Sequence, residues 1–264
     1  MIHVLHGNGF CSRMYQPMLR LLADEFDLFL SDAQGHGDSD HGGPFIGWNA
    51  SAELAHQAWQ AHQHLFSDAP QIALGHSFGG VLTALNNAAF PAQFQQVILL
   101  DPVLFTPAML TSMQALSMVR LYKRNPYARA ALRRRQHWPD HQQAQHYLQQ
   151  RALFKDWHPD ALAAYIDHAM MDSEHGISLK CQPSREAEIF GSYPKGLWQQ
   201  LALPCAPTTV LYGDRSYPFV SKALHRWQKL NSAVDIQPVR GGHCFMQEAP
   251  ENTAALILKA IKSA

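Results

Sequence analysis

A serine flanked by glycines stands where an apolar segment gives way to a helix-forming one. Residues 75–79 read Gly-His-Ser-Phe-Gly, after the apolar run 71–74 and before the helix-forming stretch 80–90. Small residues on either side of Ser77 permit a strained strand-to-helix turn, in which larger side chains would clash. Such a turn holds the hydroxyl above the sheet edge, at the positive end of the following helix. The pattern therefore favours a hydroxyl poised for chemistry, and its alternative is a glycine-rich turn with an incidental serine.

A second polar loop near the start of the chain could complement that hydroxyl. Residues 6–9 read His-Gly-Asn-Gly and follow the apolar run 2–5. A loop at the end of a strand can direct a backbone N–H, here from Asn8 or Gly9, toward a reacting oxygen. Paired with the N–H of Phe78, it would hold an oxyanion.

Two more polar loops follow strand-like runs. The segment 32–39, Asp-Ala-Gln-Gly-His-Gly-Asp-Ser, comes after the run 28–30, and Gly-Gly-His at 241–243 comes after the run 234–239. Open parallel sheets place their sites at the carboxyl ends of the strands. All four loops are therefore expected at one edge of one sheet.

These four motifs together resemble the α/β-hydrolase family, and they extend from residue 2 to residue 243. The resemblance implies that Ser77 is the nucleophile and that His243 is the general base and later the acid. It also implies that the N–H groups of Phe78 and Asn8 form the oxyanion hole. Histidine suits the role of base because its ordinary pKa, about 6.5, lies near working pH. The substrate stays open, because this fold hosts many chemistries.

The acidic partner of His243 is where the chain departs from the family pattern. The family usually places its acid at a position occupied here by Ser216, which cannot hold negative charge. Two carboxylates could replace it. Asp101 ends the run 97–100, a strand end from which some family members take their acid, and it is the preferred candidate. Asp214, two residues from the usual position, is the alternative. The competing interpretations are a turn cap for Asp101 and a solvated turn residue for Asp214, and a third alternative is that neither carboxylate is the acid.

Composition excludes several classes of protein. The 264 residues are 47% hydrophobic and carry a formal net charge of zero. No global field therefore attracts nucleic acid or an anionic membrane. No apolar run approaches the roughly 18 residues that span a bilayer, and no leader sequence opens the chain.

Cysteine and histidine usage points away from disulfides and metals. The four cysteines show neither paired nor metal-ligand spacing, which predicts free thiols and a cytoplasmic location. The histidine-rich segments lack the further ligands that would complete a metal site. The family resemblance implies no cofactor either.

Strand-like runs alternate with amphipathic stretches, which predicts an α/β fold with a mostly parallel, doubly wound sheet. The expected core comprises residues 1–102 and 204–264, and residues 103–203 form a helical cap insertion. The predicted strands are 2–5, 28–31, 71–74, 97–100, 208–211 and 234–239, and the predicted helices are 14–23, 51–66, 80–90, 107–123, 127–136, 140–152 and 159–171.

The hairpin that family members carry before their first parallel strand is missing here, because the first predicted strand begins at residue 2. An uncovered sheet edge invites pairing with a second copy or cover by another element. A homodimer is therefore one expectation, and an incomplete reading frame is an equal alternative.

The cap has a charge bias of its own. Residues 102–139 hold seven Lys and Arg and no Asp or Glu: Arg120, Lys123, Arg124, Arg129, Arg133, Arg134 and Arg135. A funnel for anionic substrates is one interpretation. A solvated helix face is the preferred one.

The resulting functional prediction is a serine hydrolase that cleaves a small-molecule carboxylic ester with an apolar acyl part through an acyl-enzyme. Aromatic residues of the cap are expected to line part of the acyl pocket. The alternatives are a thioesterase or a lyase on the same scaffold, and a non-catalytic protein of this fold that binds a ligand.

Overall fold

A six-stranded parallel sheet forms the centre of the protein, in the order β2-β1-β3-β4-β8-β9. The structure is a computed structural model that describes residues 1–66, 69–118 and 125–263. The strands of this sheet are β1 (Ile2–Leu5), β2 (Leu28–Ser31), β3 (Ile72–His76), β4 (Gln96–Leu100), β8 (Thr208–Gly213) and β9 (Val234–Val239).

Helices cover the sheet, as apolar strands buried on both faces require. Every residue of β1, β3 and β4 is buried. The described helices are α1 (Gln16–Leu22), α2 (Trp48–His62), α3 (Ser77–Ala89), α4 (Pro107–Met118), α5 (Pro126–Leu132), α6 (His141–Gln149), α7 (Pro159–Ala169), α8 (Pro183–Phe190), α9 (Leu197–Leu201), α10 (Pro218–Leu230), α11 (Phe245–Glu248) and α12 (Pro250–Lys262).

The strand register brings the polar loops to one edge. Leu5 at the end of β1 lies opposite Gly75 of β3, and Leu100 at the end of β4 lies opposite both His76 and Leu211. The loops after these strands therefore leave the sheet side by side. This is the arrangement that the motif positions predicted.

The glycines of the serine motif allow α3 to approach the sheet closely. A Cβ at Gly79 would contact the carbonyl oxygen of Leu5, and a Cβ at Gly75 would lie 2.5 Å from Thr83 Oγ1. Neither space admits a side chain, because backbone or a packed neighbour already fills it. The glycines thus set the position of the helix that begins at Ser77.

The predicted strands are confirmed, and β1, β2 and β9 have the predicted bounds. The chain runs from β3 into α3 without an intervening loop, so both elements extend further into the glycine motif than predicted. Helix α4 begins where predicted and is described as far as Met118. The rest of the predicted helix 107–123 lies outside the described residues.

Residues 103–203 contain helices α4 to α9 and, in addition, three short strands that the sequence did not predict. A second, three-stranded antiparallel sheet, in the order β5-β7-β6, consists of β5 (His137–Trp138), β6 (Met170–Ser173) and β7 (Gly176–Leu179). Two residues, 174 and 175, join β6 to β7 as in a tight hairpin. Gly176 has φ +117°, and its carbonyl oxygen accepts a hydrogen bond from Ser173 Oγ at 3.0 Å. Helix α7 ends at Ala169, because Met170 is already extended and begins β6.

Strand β2 lies at the edge of the central sheet, and each of its residues is half-buried. The homodimer and the boundaries of the cap stay predictions. None of the helices within the described ranges is long and apolar enough to cross a membrane. All four cysteines are free thiols.

Candidate active site

Ser77 occupies a strained turn between β3 and α3. Its φ is +53°, a left-handed conformation that costs a non-glycine residue about 1–3 kcal/mol. The side chain is mostly buried, and Ser77 Oγ lies 2.9 Å from His243 Nε2. The turn therefore presents the hydroxyl directly to an imidazole from the other end of the chain.

His243 lies in the loop between β9 and α11, and both of its ring nitrogens have partners. Its Nδ1 lies 2.5 Å from Asp101 Oδ2. Because an ionised carboxylate only accepts hydrogen bonds, Nδ1 carries the proton and Nε2 is left to accept one from Ser77. The loop is held by the preceding residue, since the N–H of Gly242 donates to Glu248 Oε1 at 2.8 Å.

Asp101 is fully buried at the end of β4, and its φ of +44° is the second positive value at a non-glycine residue in the described chain. The N–H of Gly213 donates to Asp101 Oδ1 at 2.9 Å. Ser216 Oγ donates to Oδ2, the same oxygen that faces His243. Three donors thus compensate the burial of this carboxylate, as a buried charge requires.

Asp214 lies elsewhere in the same region and makes different contacts. Its Oδ1 accepts the N–H of Gly241 at 2.9 Å and lies 3.9 Å from Arg215 Nε. The side chain is half-exposed, and no hydrogen bond of the described residues joins it to His243. The structure therefore brings Asp101, and not Asp214, to the imidazole. Asp214 braces the loop that carries His243.

Two backbone N–H groups near Ser77 have no protein partner among the described residues. Phe78 is the second residue of α3, where helical N–H groups have no partner within the helix. Within the described part of the chain, no protein acceptor pairs with the N–H of Asn8. The N–H of Gly9, the alternative donor of the sequence prediction, instead donates to His36 Nε2 at 3.1 Å.

Buried histidines brace the loop that carries Asn8, a role that the sequence prediction missed. His6 Nε2 accepts the N–H of Ala33 at 2.9 Å, and His36 Nε2 accepts the N–H of Gly9. Burial lowers the pKa of both imidazoles, and for His36 the pKa lies well below the ordinary value. Both rings are therefore neutral at working pH and able to accept. The only indication in the sequence is that His6 and His36 both lie in loops that follow strand-like runs.

His76 links the same loop to His243. Tyr15 Oη accepts a hydrogen bond from the N–H of Gly7 at 3.1 Å and donates one to His76 Nδ1 at 2.6 Å. The Nε2 of His76 then donates to the carbonyl oxygen of His243 at 3.1 Å. Burial holds the pKa of His76 well below its ordinary value, so the ring stays neutral. Tyr15 lies in none of the sequence motifs, so this contact was not predicted.

A cavity of about 460 Å³ opens beside Ser77. Its walls are mainly apolar side chains of α4, α5 and the loops around them. The lining residues include Phe10, Trp48, Val103, Phe105, Met109, Met113, Leu116, Tyr127, Leu153, Ile189, Phe190, Tyr217 and Phe219. We call this space the apolar cavity. Four other aromatic residues of the segment 103–203 are buried in the hydrophobic core instead: Trp138, Phe154, Trp157 and Tyr165.

One carboxylate lines the apolar cavity, and it is paired. Glu186 Oε2 lies 2.8 Å from Arg134 Nη1, while Arg134 Nη2 donates to Tyr165 Oη at 2.5 Å. Arg129, Arg133 and Arg135 are exposed. Arg120, Lys123 and Arg124 lie outside the described residues. In the described ranges, no three His, Cys, Asp or Glu side chains converge as ligands for a metal ion.

Comparison with known proteins identifies the family. The chain is 30% identical over 114 residues to the abhydrolase domain-containing protein AKT2 of Alternaria alternata, a match that covers 43% of this chain and 38% of that protein. It is 29% identical over 120 residues to the monoglyceride lipase of Homo sapiens, covering 44% and 40%. The chain thus matches about two fifths of the length of each of these relatives.

Among solved structures, E-2-(acetamidomethylene)succinate hydrolase superposes with a TM-score of 0.78 at 20% identity, covering 99% of this chain and 91% of that one. At 20% identity this structural similarity supports the fold alone. The model of the alpha/beta hydrolase family matches residues 4–256, nearly the whole chain. This protein is therefore a member of the α/β-hydrolase family.

Proposed function

We propose that this protein is a serine hydrolase that cleaves a carboxylic ester through an acyl-enzyme intermediate. The observation that carries the proposal is the unbroken chain of hydrogen bonds from Ser77 Oγ through His243 to Asp101. A hydroxyl, an imidazole and a buried carboxylate in that order are the parts that nucleophilic acyl transfer requires.

Acylation begins with attack of Ser77 Oγ on the ester carbonyl while His243 Nε2 takes the hydroxyl proton. The N–H groups of Phe78 and Asn8 stabilise the oxyanion that forms. Loss of one such donor typically costs about 100- to 1000-fold in kcat. As the tetrahedral intermediate collapses, the bond to the alcohol oxygen breaks and His243 returns the proton to that oxygen. Water activated by the same nitrogen then hydrolyses the acyl-enzyme.

Asp101 is the acid of this proposal. Its carboxylate keeps the proton of His243 on Nδ1 and stabilises the imidazolium that forms at each proton transfer. Ser216 stands at the position where the family usually has its acid, and there it donates to Asp101 instead. The carboxylate therefore comes from the end of β4, and the hydroxyl that supports it comes from the loop after β8.

The apolar cavity supports an ester whose acyl part is apolar. Its volume falls within the range of about 300–1000 Å³ that is usual for small-molecule sites. The monoglyceride lipase among the relatives has an ester substrate by name, which agrees with the same chemistry. Residues 103–203 would act as the cap, because α4, α5 and α8 supply much of the wall over Ser77.

The experiment that tests the proposal measures hydrolysis of p-nitrophenyl octanoate and labelling by a fluorophosphonate probe. We expect turnover of the ester and one label per chain, with both lost in Ser77→Ala. Ser112→Ala, which removes a hydroxyl from the wall of the same cavity, serves as the matched control and should retain the label. A folded protein that takes no label and hydrolyses no ester would instead be a ligand-binding member of the family.

A further inference from the structure

A second cavity adjoins His243, and neither Phe78 nor Asn8 lines it. It has a volume of about 430 Å³, and we call it the polar cavity. Its walls include Ala152, Asp156, Arg215, His243 and Glu248. Leu153, Tyr217 and His243 also line the apolar cavity, so they form the boundary between the two spaces.

The two cavities divide the reacting groups between them. Ser77, Phe78 and Asn8 line the apolar cavity and are absent from the walls of the polar one, whereas His243 lines both. In acylation the alcohol oxygen receives its proton from His243, so the leaving group must lie on the imidazole side of the tetrahedral carbon. The carbonyl oxygen faces the two N–H donors on the opposite side.

We propose that the apolar cavity takes the acyl chain and the polar cavity takes the leaving alcohol, which is an uncharged, hydroxylated alcohol. This inference rests on the proposed function and narrows its substrate class. An apolar acyl chain gains free energy from burial among aromatic and aliphatic side chains. A hydroxylated alcohol finds hydrogen-bonding groups and solvent access in the polar cavity.

The charges in the polar cavity disfavour anionic leaving groups. Arg215 is its one lining Lys or Arg, and the guanidinium already pairs with Glu248 Oε2 at 3.1 Å. Asp156 adds a second carboxylate, so the side chains other than His243 carry a net charge of −1. A phosphorylated alcohol such as glycerol 3-phosphate would bring its phosphate against that charge, and like-charge contact costs several kcal/mol at binding interfaces. The same reasoning disfavours acids on the acyl side, since Arg134 is paired with Glu186.

The test compares kcat/KM for three octanoyl compounds: methyl octanoate, 1-octanoylglycerol and 1-octanoylglycerol 3-phosphate. We expect the wild-type protein to favour octanoylglycerol over its 3-phosphate by about 100-fold. Ala152→Phe, which places a ring in the polar cavity, should lower kcat/KM for octanoylglycerol about tenfold more than for methyl octanoate. Asp156→Lys should shift the preference toward the 3-phosphate by about tenfold.

Two control variants distinguish effects in the polar cavity from effects elsewhere, and a labelling assay checks that each variant folds. Ala202→Phe, at an exposed alanine that lines neither cavity, should leave the ratios between the three substrates unchanged. Ala108→Phe, in the wall of the apolar cavity, should lower kcat/KM for octanoyl esters more than for acetyl esters. It should lower kcat/KM for the glycerol and methyl esters equally. Fluorophosphonate labelling of Ser77 at wild-type stoichiometry shows that each variant has a folded site.

Two results overturn the inference while the proposed function survives. One is turnover of 1-octanoylglycerol 3-phosphate by the wild-type protein as efficient as that of 1-octanoylglycerol. The other is an equal effect of Ala152→Phe on the glycerol and methyl esters. A wild-type protein that takes the label but hydrolyses none of the three compounds also overturns the proposed substrate class. Absence of both label and turnover would end the proposed function itself.

Discussion

The carboxylate of Asp101 is held by three residues at the carboxyl ends of two strands, β8 and β9. His243, Gly213 and Ser216 all donate to it, and its own backbone conformation is strained. A buried carboxylate keeps its charge only when such donors replace its water. Glutamate could not fill this space, and asparagine would fit but would present an N–H or an uncharged oxygen to His243. The identity of this residue therefore controls the protonation of the imidazole.

Substitution at the two aspartates distinguishes their roles. Asp101→Asn should lower kcat by about 10³–10⁴-fold, because the uncharged amide can favour the wrong tautomer of His243 and no longer stabilises its cation. Asp214→Asn should change kcat by less than about tenfold, since an amide oxygen can still accept the N–H of Gly241. Steady-state kinetics with p-nitrophenyl octanoate, alongside a thermal unfolding curve for each variant, measures both. A larger loss of kcat in Asp214→Asn than in Asp101→Asn would show that Asp101 is not the acid.

At the scale of elements, close backbone packing between β1 and α3 sets the geometry of the site. The N–H of Gly79 donates to the carbonyl oxygen of His6 at 3.0 Å, so the helix that begins at Ser77 is tied to the loop that carries Asn8. The nucleophile and both proposed oxyanion donors therefore move as one unit. Two buried histidines flank the end of β1, since His3 lies within the strand and His6 directly follows it.

A methyl group at Gly79 tests this packing. Gly79→Ala should lower the free energy of unfolding by about 3 kcal/mol or more, because its Cβ would overlap the backbone of β1. Gly43→Ala is the matched control, since a Cβ there would meet no atom within 4 Å, and its effect should stay within about 1 kcal/mol. Urea unfolding followed by circular dichroism gives both values. Equal effects would contradict the close approach of α3 to the sheet.

Buried histidines also make stability depend on pH. Burial lowers the pKa of His3 to about 3, so below pH 6.5 the unfolded chain binds a proton at this residue that the folded chain does not. Stability from His3 is therefore complete above pH 6.5 and decreases as the pH falls toward 3. Between pH 6.5 and 5.0 the loss from this one residue should be about 2 kcal/mol.

Urea titrations at pH 7.5, 6.5 and 5.0 measure that dependence. Replacing the ring by a side chain that does not titrate, in His3→Asn, should remove about 2 kcal/mol of the decrease between pH 6.5 and 5.0. His64→Asn, at an exposed position, should leave the decrease as it is in the wild-type protein. A wild-type stability that rises on acidification over this range would refute the neutral state of the buried rings.

At the scale of the whole molecule, the parallel sheet and the position of its polar edge were readable in the sequence. Apolar runs of four to six residues marked every strand of the central sheet, and their carboxyl ends carried the motifs. The hairpin of β6 and β7 was not readable, because Met170 continues the helical pattern of α7 and only the turn at Gly176 redirects it. The choice between Asp101 and Asp214 also needed the structure, since both follow strands at the same edge and sequence cannot give the direction of a side chain.

The contacts that brace the site were equally beyond sequence reasoning. Tyr15 and His76 lie 61 residues apart, and Ser216 and Asp101 lie 115 apart. Such pairs depend on the register of β1, β3, β4 and β8. The two cavities likewise arise only when residues 103–203 fold over that edge. The sequence thus predicted that Ser77 and His243 lie together at one sheet edge, and the assembled molecule determined how they are supported and what space adjoins them.

The most direct test of the account is a rapid-quench measurement of the intact protein by mass spectrometry during turnover of p-nitrophenyl octanoate. The account predicts a burst of nitrophenol equivalent to one per chain and a protein mass raised by one octanoyl group, located by proteolysis on Ser77. His243→Ala should abolish the burst at the same substrate concentration. Turnover of the ester without an acylated protein, or acylation at a residue other than Ser77, would contradict it.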